Sequence, residues 1–210
     1  KAVFFLYPDR ASAEAGVKSG GTGFLVGIPV SGMPGSVYLH AITNHHVAVS
    51  NPNGPSCPVV RINRLSGKPE IFEFDPAEWI FESGFSDVAV SPPIGLDGRV
   101  HSFAIINCDS WLLTAEQERD GEIGPGDDVF MIGRFVDYDG VETNLPAARF
   151  GHISMMDVRI EQTTGYNGRS IVLDMHSRSG FSGSPVMIFR TLGSHFIEQA
   201  QPGSFLTGGG

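Results

Sequence analysis

No uninterrupted apolar run in this chain exceeds six residues, and turn-formers punctuate the sequence throughout. The longest run is 2–7, Ala-Val-Phe-Phe-Leu-Tyr. A membrane-spanning helix needs about 20 consecutive apolar residues, so the chain carries no such span. Glycine (27) and proline (14) together fill about a fifth of the 210 positions and show no fixed period. That excludes a collagen-like repeat and argues for many short strands joined by turns. The apolar or β-branched segments 2–7, 23–28, 37–42, 59–62, 71–74, 87–90 and 103–106 read as strands. Between them lie turn clusters such as Ser31-Gly32-Met33-Pro34-Gly35 and Asn51-Pro52-Asn53-Gly54-Pro55. Segments 129–132, 148–153, 158–162, 171–174 and 185–189 repeat the style. Only 111–119 reads as a helix, with Leu112, Leu113 and Glu116 on a 3.6-residue pattern. The expected organisation is an N-terminal β half over 1–107, a connector over 108–125 and a C-terminal β half over 126–210. The Gly-rich stretch 201–210 brings no further strand after Phe205-Leu206, so the second half is expected to be incomplete.

Charge narrows the partners. With 14 Lys+Arg against 23 Asp+Glu the net charge is −9. Binding to a phosphate backbone draws on a basic face, so no nucleic-acid partner is expected. The cysteines, Cys57 and Cys108, form no C-x-x-C pair and are too few for a disulfide scaffold. Free thiols are the favoured reading, with a single bridge left open. No signal peptide is visible, but the chain begins at Lys1 rather than Met. The compartment stays open, with the cytoplasm favoured over secretion. Oligomeric state is not legible.

Three segments carry chemistry together. Ala41-Ile42-Thr43-Asn44-His45-His46-Val47 runs a strand into a turn bearing two histidines. Ser86-Asp87-Val88-Ala89-Val90 opens an apolar strand with a carboxylate. Ser179-Gly180-Phe181-Ser182-Gly183-Ser184-Pro185-Val186 sets a serine among glycines ahead of a strand. Amide hydrolysis through serine needs a nucleophilic oxygen, a base to take its proton, a carboxylate to orient the base, and backbone N–H donors for the oxyanion. Histidine, aspartate and serine occur here in that order, 41 and 95 residues apart. Glycines around Ser182 permit the backbone angles that turn N–H groups toward one point. Each segment alone is more often an ordinary turn or strand end; the joint pattern is the signal. A metal pair at His45 and His46 is disfavoured, because adjacent histidines rarely converge on one ion without further ligands.

Thr-x-x-His-Val, Asp-Val-Ala-Val and Gly-Phe-Ser-Gly-Ser-Pro-Val resemble the three active-site motifs of trypsin-like serine peptidases. The likeness is closest to the bacterial branches, including HtrA-type and glutamyl-endopeptidase-like enzymes. Gly20-Gly21-Thr22-Gly23-Phe24-Leu25-Val26 resembles the family's Gly-rich strand ahead of the histidine. Gly126-Asp127-Asp128-Val129-Phe130-Met131-Ile132-Gly133 resembles the opening of its second barrel. The resemblance implies an all-β fold of two six-stranded antiparallel barrels, with the active site in the cleft between them and no cofactor or metal. It implies a protein or peptide substrate, cleaved through an acyl-enzyme. Position by position it makes His46 the base, Asp87 its orienting carboxylate and Ser182 the nucleophile. The N–H groups of Gly180 and Ser182 become the oxyanion hole, and Ser184 takes no direct role. His176 falls near the floor of the first specificity pocket, biasing it toward polar or acidic side chains or lying in the wall and selecting nothing. Asp174, two residues earlier, falls on the same side by strand alternation.

The chain departs from the animal digestive members at Val47, where they carry cysteine, and in lacking an Ile-Val-Gly-Gly start. No PDZ-like module follows in the sequence. Two readings of other classes compete with the enzyme: a catalytically silent trypsin-fold binding module, and an unrelated β protein with chance motifs. The last predicts His46, Asp87 and Ser182 far apart in space.

Overall fold

The computed structural model describes residues 2–18, 20–82, 86–120, 123–135, 140–161, 167–176 and 180–189. Strand β1 (Val3–Tyr7) is the six-residue apolar run, and all five of its residues are buried. Its lack of alternation has a direct cause: both faces of the strand are covered. Phe4 and Leu6 enter one hydrophobic cluster, while Val3, Phe5 and Tyr7 enter another. Its neighbour β4 (Val59–Ile62) divides the same way, Val60 and Ile62 joining the first cluster and Val59 the second. Each large apolar side chain so buried contributes about 1.5–3 kcal/mol.

Around this pair curls a sheet in which β2 (Gly21–Pro29) is the pivot. Its first residues pair with β1, Phe24 opposite Val3, while 25–27 run parallel to β8 (Ile105–Asn107) along the same edge. Gly23 permits the close crossing, because a Cβ there would lie 2.4 Å from the Phe4 ring. The other edge of β2 holds β3 (Val37–Thr43), followed outward by β7 (Ala89–Pro93) and the two-residue β6 (Ile80–Phe81). On the far side β5 (Glu70–Phe72) pairs with β4. The second sheet is antiparallel in the order β11 (Asn167–Met175), β10 (Pro146–Glu161), β9 (Asp128–Arg134), β12 (Val186–Phe189). The fold is all-β, as the sequence leads one to expect, a curled half-barrel sheet with a second antiparallel sheet. Among the described residues the first sheet holds eight strands, β8 pairing with β2 off the main path, and the second holds four. The expected lack of a closing strand concerns 201–210, outside the described residues.

Three local expectations change. The helix over 111–119 is two short ones, α3 (Cys108–Trp111) and α4 (Ala115–Arg119). Thr114 starts the second through a capping box, its Oγ1 accepting from the Gln117 N–H while Gln117 Oε1 accepts from the Thr114 N–H. The strands expected at 148–153 and 158–162 are one, β10. Its register against β11 shifts between Ile153 and Met155 and again between Met155 and Val158, with Asp157 at φ 56°. Those bulges break the alternation that would have joined the two runs. A helix over Arg10–Ala15 was not anticipated, although Asp9 caps it through the Ser12 N–H and Gly16 ends it at φ 66°. Both cysteines are free, and burial pushes the Cys57 thiol up to about 11.

The segment leading into β10 is fastened to the first sheet. The Asn144 N–H donates to Asn63 Oδ1 (2.9 Å), Asn63 Nδ2 donates to the Asn144 carbonyl (3.0 Å), and Asn144 Nδ2 donates to the Arg61 carbonyl (2.6 Å). Both asparagines are buried. Replacing Asn63 with alanine removes two of these bonds, both to the backbone of a buried residue. Urea unfolding of Asn63→Ala should show a loss of about 2–3 kcal/mol.

Candidate active site

Strands β3 and β7 bring His46 and Asp87 together by register. Thr43, the last residue of β3, pairs with Ala89, the first of β7, so the chain leaving β3 meets the chain entering β7. Beyond Thr43 the chain makes a single helical turn, α2 (His45–Ala48), with Asn44 extended at its start. Val47 and Ala48 are buried in the first cluster and fix how the turn is rotated. Asp87 then serves four donors. Its carbonyl accepts from the His45 N–H (3.1 Å) and from Asn44 Nδ2 (2.8 Å). Its Oδ1 accepts from the His46 N–H (2.9 Å), and its Oδ2 lies 2.6 Å from His46 Nδ1.

Burial alone would push the Asp87 carboxyl up. The hydrogen bonds from the His46 ring and backbone outweigh it, joined by the nearby histidines' charge, and hold the group below its ordinary value. An ionised carboxylate only accepts, so Nδ1 carries a hydrogen, and whenever Nε2 carries none its lone pair is the ring's free acceptor. His45 is engaged elsewhere, its ring centroid 4.4 Å from that of Phe81. Among the described residues no group of three or more His, Cys, Asp or Glu side chains could hold a metal.

The serine turn docks on the ends of β2 and β3. The Thr22 N–H donates to the Ser182 carbonyl (2.9 Å), and Thr22 Oγ1 donates to the Gly180 carbonyl (2.8 Å) while accepting from the Arg134 N–H (2.9 Å). Thr43 Oγ1 in turn donates to the Thr22 carbonyl (2.7 Å). Gly183, at φ 82°, lies against this knot: a Cβ there would sit 2.1 Å from the Thr22 carbonyl oxygen and 2.2 Å from Thr43 Oγ1. Asn44 N is 3.2 Å from the same point, so the turn bearing Ser182 abuts the segment bearing His46. The three segments therefore converge, against the expectation of the chance-motif reading. Gly180 is at φ 98°, and among the described residues neither its N–H nor that of Ser182 is taken up by a backbone acceptor. No hydrogen bond among the described residues joins Ser182 Oγ to His46 Nε2. The hydroxyl of Ser184 is buried beside Gly133, with no hydrogen-bond partner among the described residues. His176 follows β11 and is exposed, as is Asp174; residues 177–179 between His176 and the turn lie outside the described residues.

Solved structures of this architecture are known. The chain is similar to the MamO protease domain from Magnetospirillum magneticum (apo form), with a TM-score of 0.51, 15% identity, and coverage of 95% of this chain and 96% of that one. It also matches Deg5 (TM-score 0.49, 18% identity, 89% and 74% covered). A third match is the HtrA-type protease AlgW with decapeptide (TM-score 0.46, 18% identity, 81% and 40% covered). The chain has the trypsin-like serine protease fold. No protein-family model matches the sequence, and no curated protein does. At these identities the likeness is one of architecture, and the chemistry has to be argued from the residues.

Within that fold, sequence reasoning missed Thr22, Thr43 and Asn44. Thr22 and Thr43 are buried hydroxyls in strands, where threonine is an ordinary β-former, and nothing local marks their partners until pairing is known. Asn44 carried the one available signal, a polar residue at a helix start.

The lowered Asp87 value gives a pH prediction. A carboxyl depressed in the folded state contributes stability that is present above its unfolded pKa and is lost as pH falls through the folded one. The difference in unfolding free energy between wild type and Asp87→Asn should hold steady on the neutral side of about pH 5 and shrink below about pH 4. Urea titrations across that range measure it.

Proposed function

We propose that the protein is a serine endopeptidase, with residues 1–107 supplying His46 and Asp87, residues 126–210 supplying Ser182, and 108–125 linking them. The observation that carries this reading is the His46 Nδ1–Asp87 Oδ2 pair at 2.6 Å, which aims a free Nε2 out of the segment that abuts the serine turn. Substrate binding brings Ser182 Oγ within about 3 Å of Nε2, a contact that commonly closes only in the substrate complex. Oγ attacks the peptide carbonyl carbon as its proton passes to Nε2. The carbonyl oxygen becomes an oxyanion that the N–H groups of Gly180 and Ser182 receive, each worth about 3 kcal/mol of barrier. Collapse breaks the C–N bond, and Nε2 returns the proton to the leaving amine. Water then repeats the cycle on the acyl-serine. Asp87 stabilises the imidazolium without taking its proton. The chemistry draws only on protein groups and takes a protein or peptide as substrate. His176, exposed at the end of β11, biases the first specificity pocket toward polar or acidic side chains. A peptide-library profile dominated by cleavage after Lys or Arg would sink that assignment.

The unformed Ser182–His46 hydrogen bond favours a second reading, a trypsin-fold module that binds peptides without cutting them. A fluorophosphonate probe separates the two. Labelling of wild type that disappears in Ser182→Ala and slows by about a thousandfold or more in His46→Ala supports the enzyme. A folded wild-type sample that takes up no label, yet retains a peptide on a column, favours the binder.

A further inference from the structure

Phe181 lies between the two residues whose N–H groups form the proposed oxyanion hole, and it is almost wholly buried. It packs on the backbone of β9 at Gly133, where a Cβ would lie 2.7 Å from its ring. Over the ring lies the guanidinium of Arg149, with Cζ 5.3 Å from its centroid. The same guanidinium lies 5.2 Å from the ring centroid of Phe135. Arg149 comes from β10, opposite Met131 of β9, which itself pairs with Val186 of β12 immediately after the serine turn. No carboxylate or hydrogen-bond acceptor among the described residues pairs with Arg149, and its Nε is buried without a partner. A half-buried cation whose company is two aromatic rings directs its charge onto their faces, and guanidinium stacks on such faces well.

We propose that Arg149 is a positioning residue for the reaction, clamping Phe181 from above so that the Gly180–Ser182 turn keeps both N–H groups converged. This rests on the endopeptidase reading for its functional meaning, while the clamp itself is a physical contact that can be tested alone. The turn has two amide reporters: Ser184 N–H donates to the Phe181 carbonyl (2.9 Å), and Thr22 N–H donates to the Ser182 carbonyl (2.9 Å). Both should open when the clamp is lost.

The experiment combines amide hydrogen exchange with fluorophosphonate labelling and peptide hydrolysis on the full chain, comparing wild type with Arg149→Met, Arg149→Lys and Phe181→Leu. Arg149→Met keeps the apolar stem and removes the cation. It should raise exchange at Ser184 and Thr22 at least tenfold while leaving the β1–β4 amides as in wild type. It should lower kcat and the labelling rate at least tenfold, with KM changed less than twofold. Arg149→Lys, which restores a cation, should recover most of both effects, and Phe181→Leu should reproduce them. Wild-type exchange at the two reporters overturns the clamp, as does slower labelling without faster exchange. Should Arg149→Met lose protection throughout, Phe181→Leu, which keeps the cation and an apolar side chain on Gly133, decides in its place. If wild type takes no label while the reporters respond as described, the clamp stands and the endopeptidase reading fails.

Discussion

One buried threonine holds the two sheets in register at the site. Thr22 uses its N–H, its hydroxyl as both donor and acceptor, and its carbonyl, reaching Ser182, Gly180, Arg134 and Thr43. Each such bond is worth only about 1 kcal/mol net, but leaving any of these buried groups unpaired costs about 1–3 kcal/mol. The penalty for misplacement, more than the gain from contact, keeps the serine turn against the ends of β2 and β3. Alanine cannot do this, and valine, which matches the shape, gives up the hydrogen bonds to the Gly180 carbonyl and from the Arg134 N–H.

Asp87 works by the same logic on the other side of the site. Its backbone carbonyl takes two donors from residues 44 and 45, and its carboxylate takes two from residue 46. The ring of His46 is therefore oriented by a residue whose own position is set by strand pairing two residues away, at Thr43 and Ala89. Orientation is inherited from sheet register and does not depend on a flexible contact. His45, one residue earlier on the same turn, packs its ring against Phe81.

How much of this was readable follows from how local each cause is. The apolar runs announce their strands because burial acts residue by residue, and β1 shows it best, apolar throughout because both its faces are covered. The segments bearing His46, Asp87 and Ser182 were legible in order, and the structure brings those segments together. What escaped depends on partners distant in sequence. Thr22 meets Gly180 across 158 residues, and no pattern within a strand encodes that. The division of β2 between β1 and β8 is invisible for the same reason. The bulges that interrupt β10 and the capping box that splits the helix expected over 111–119 are local, and Thr114-x-x-Gln117 did carry a signal; an apolar spacing of 3.6 residues masked it.

The distribution of buried side chains ties these observations together. Among the described residues after 107, the buried hydrophobic side chains are Val129, Ile153 and Phe181. Strand β10 alternates without covering its outer face, and Phe150 on it is exposed. The described part of the second sheet thus has little apolar burial of its own, and local opening is expected where such burial is thin. One of its three anchors is the residue between the two proposed oxyanion donors. Packing and the geometry of the proposed oxyanion turn therefore share one contact here. The turn is held from the first sheet by Thr22 and from the second by the packing of Phe181 between Gly133 and Arg149. The packing of Phe181 thus bears on the serine turn itself, so a change that loosens Phe181 acts on that turn without touching Ser182, His46 or Asp87.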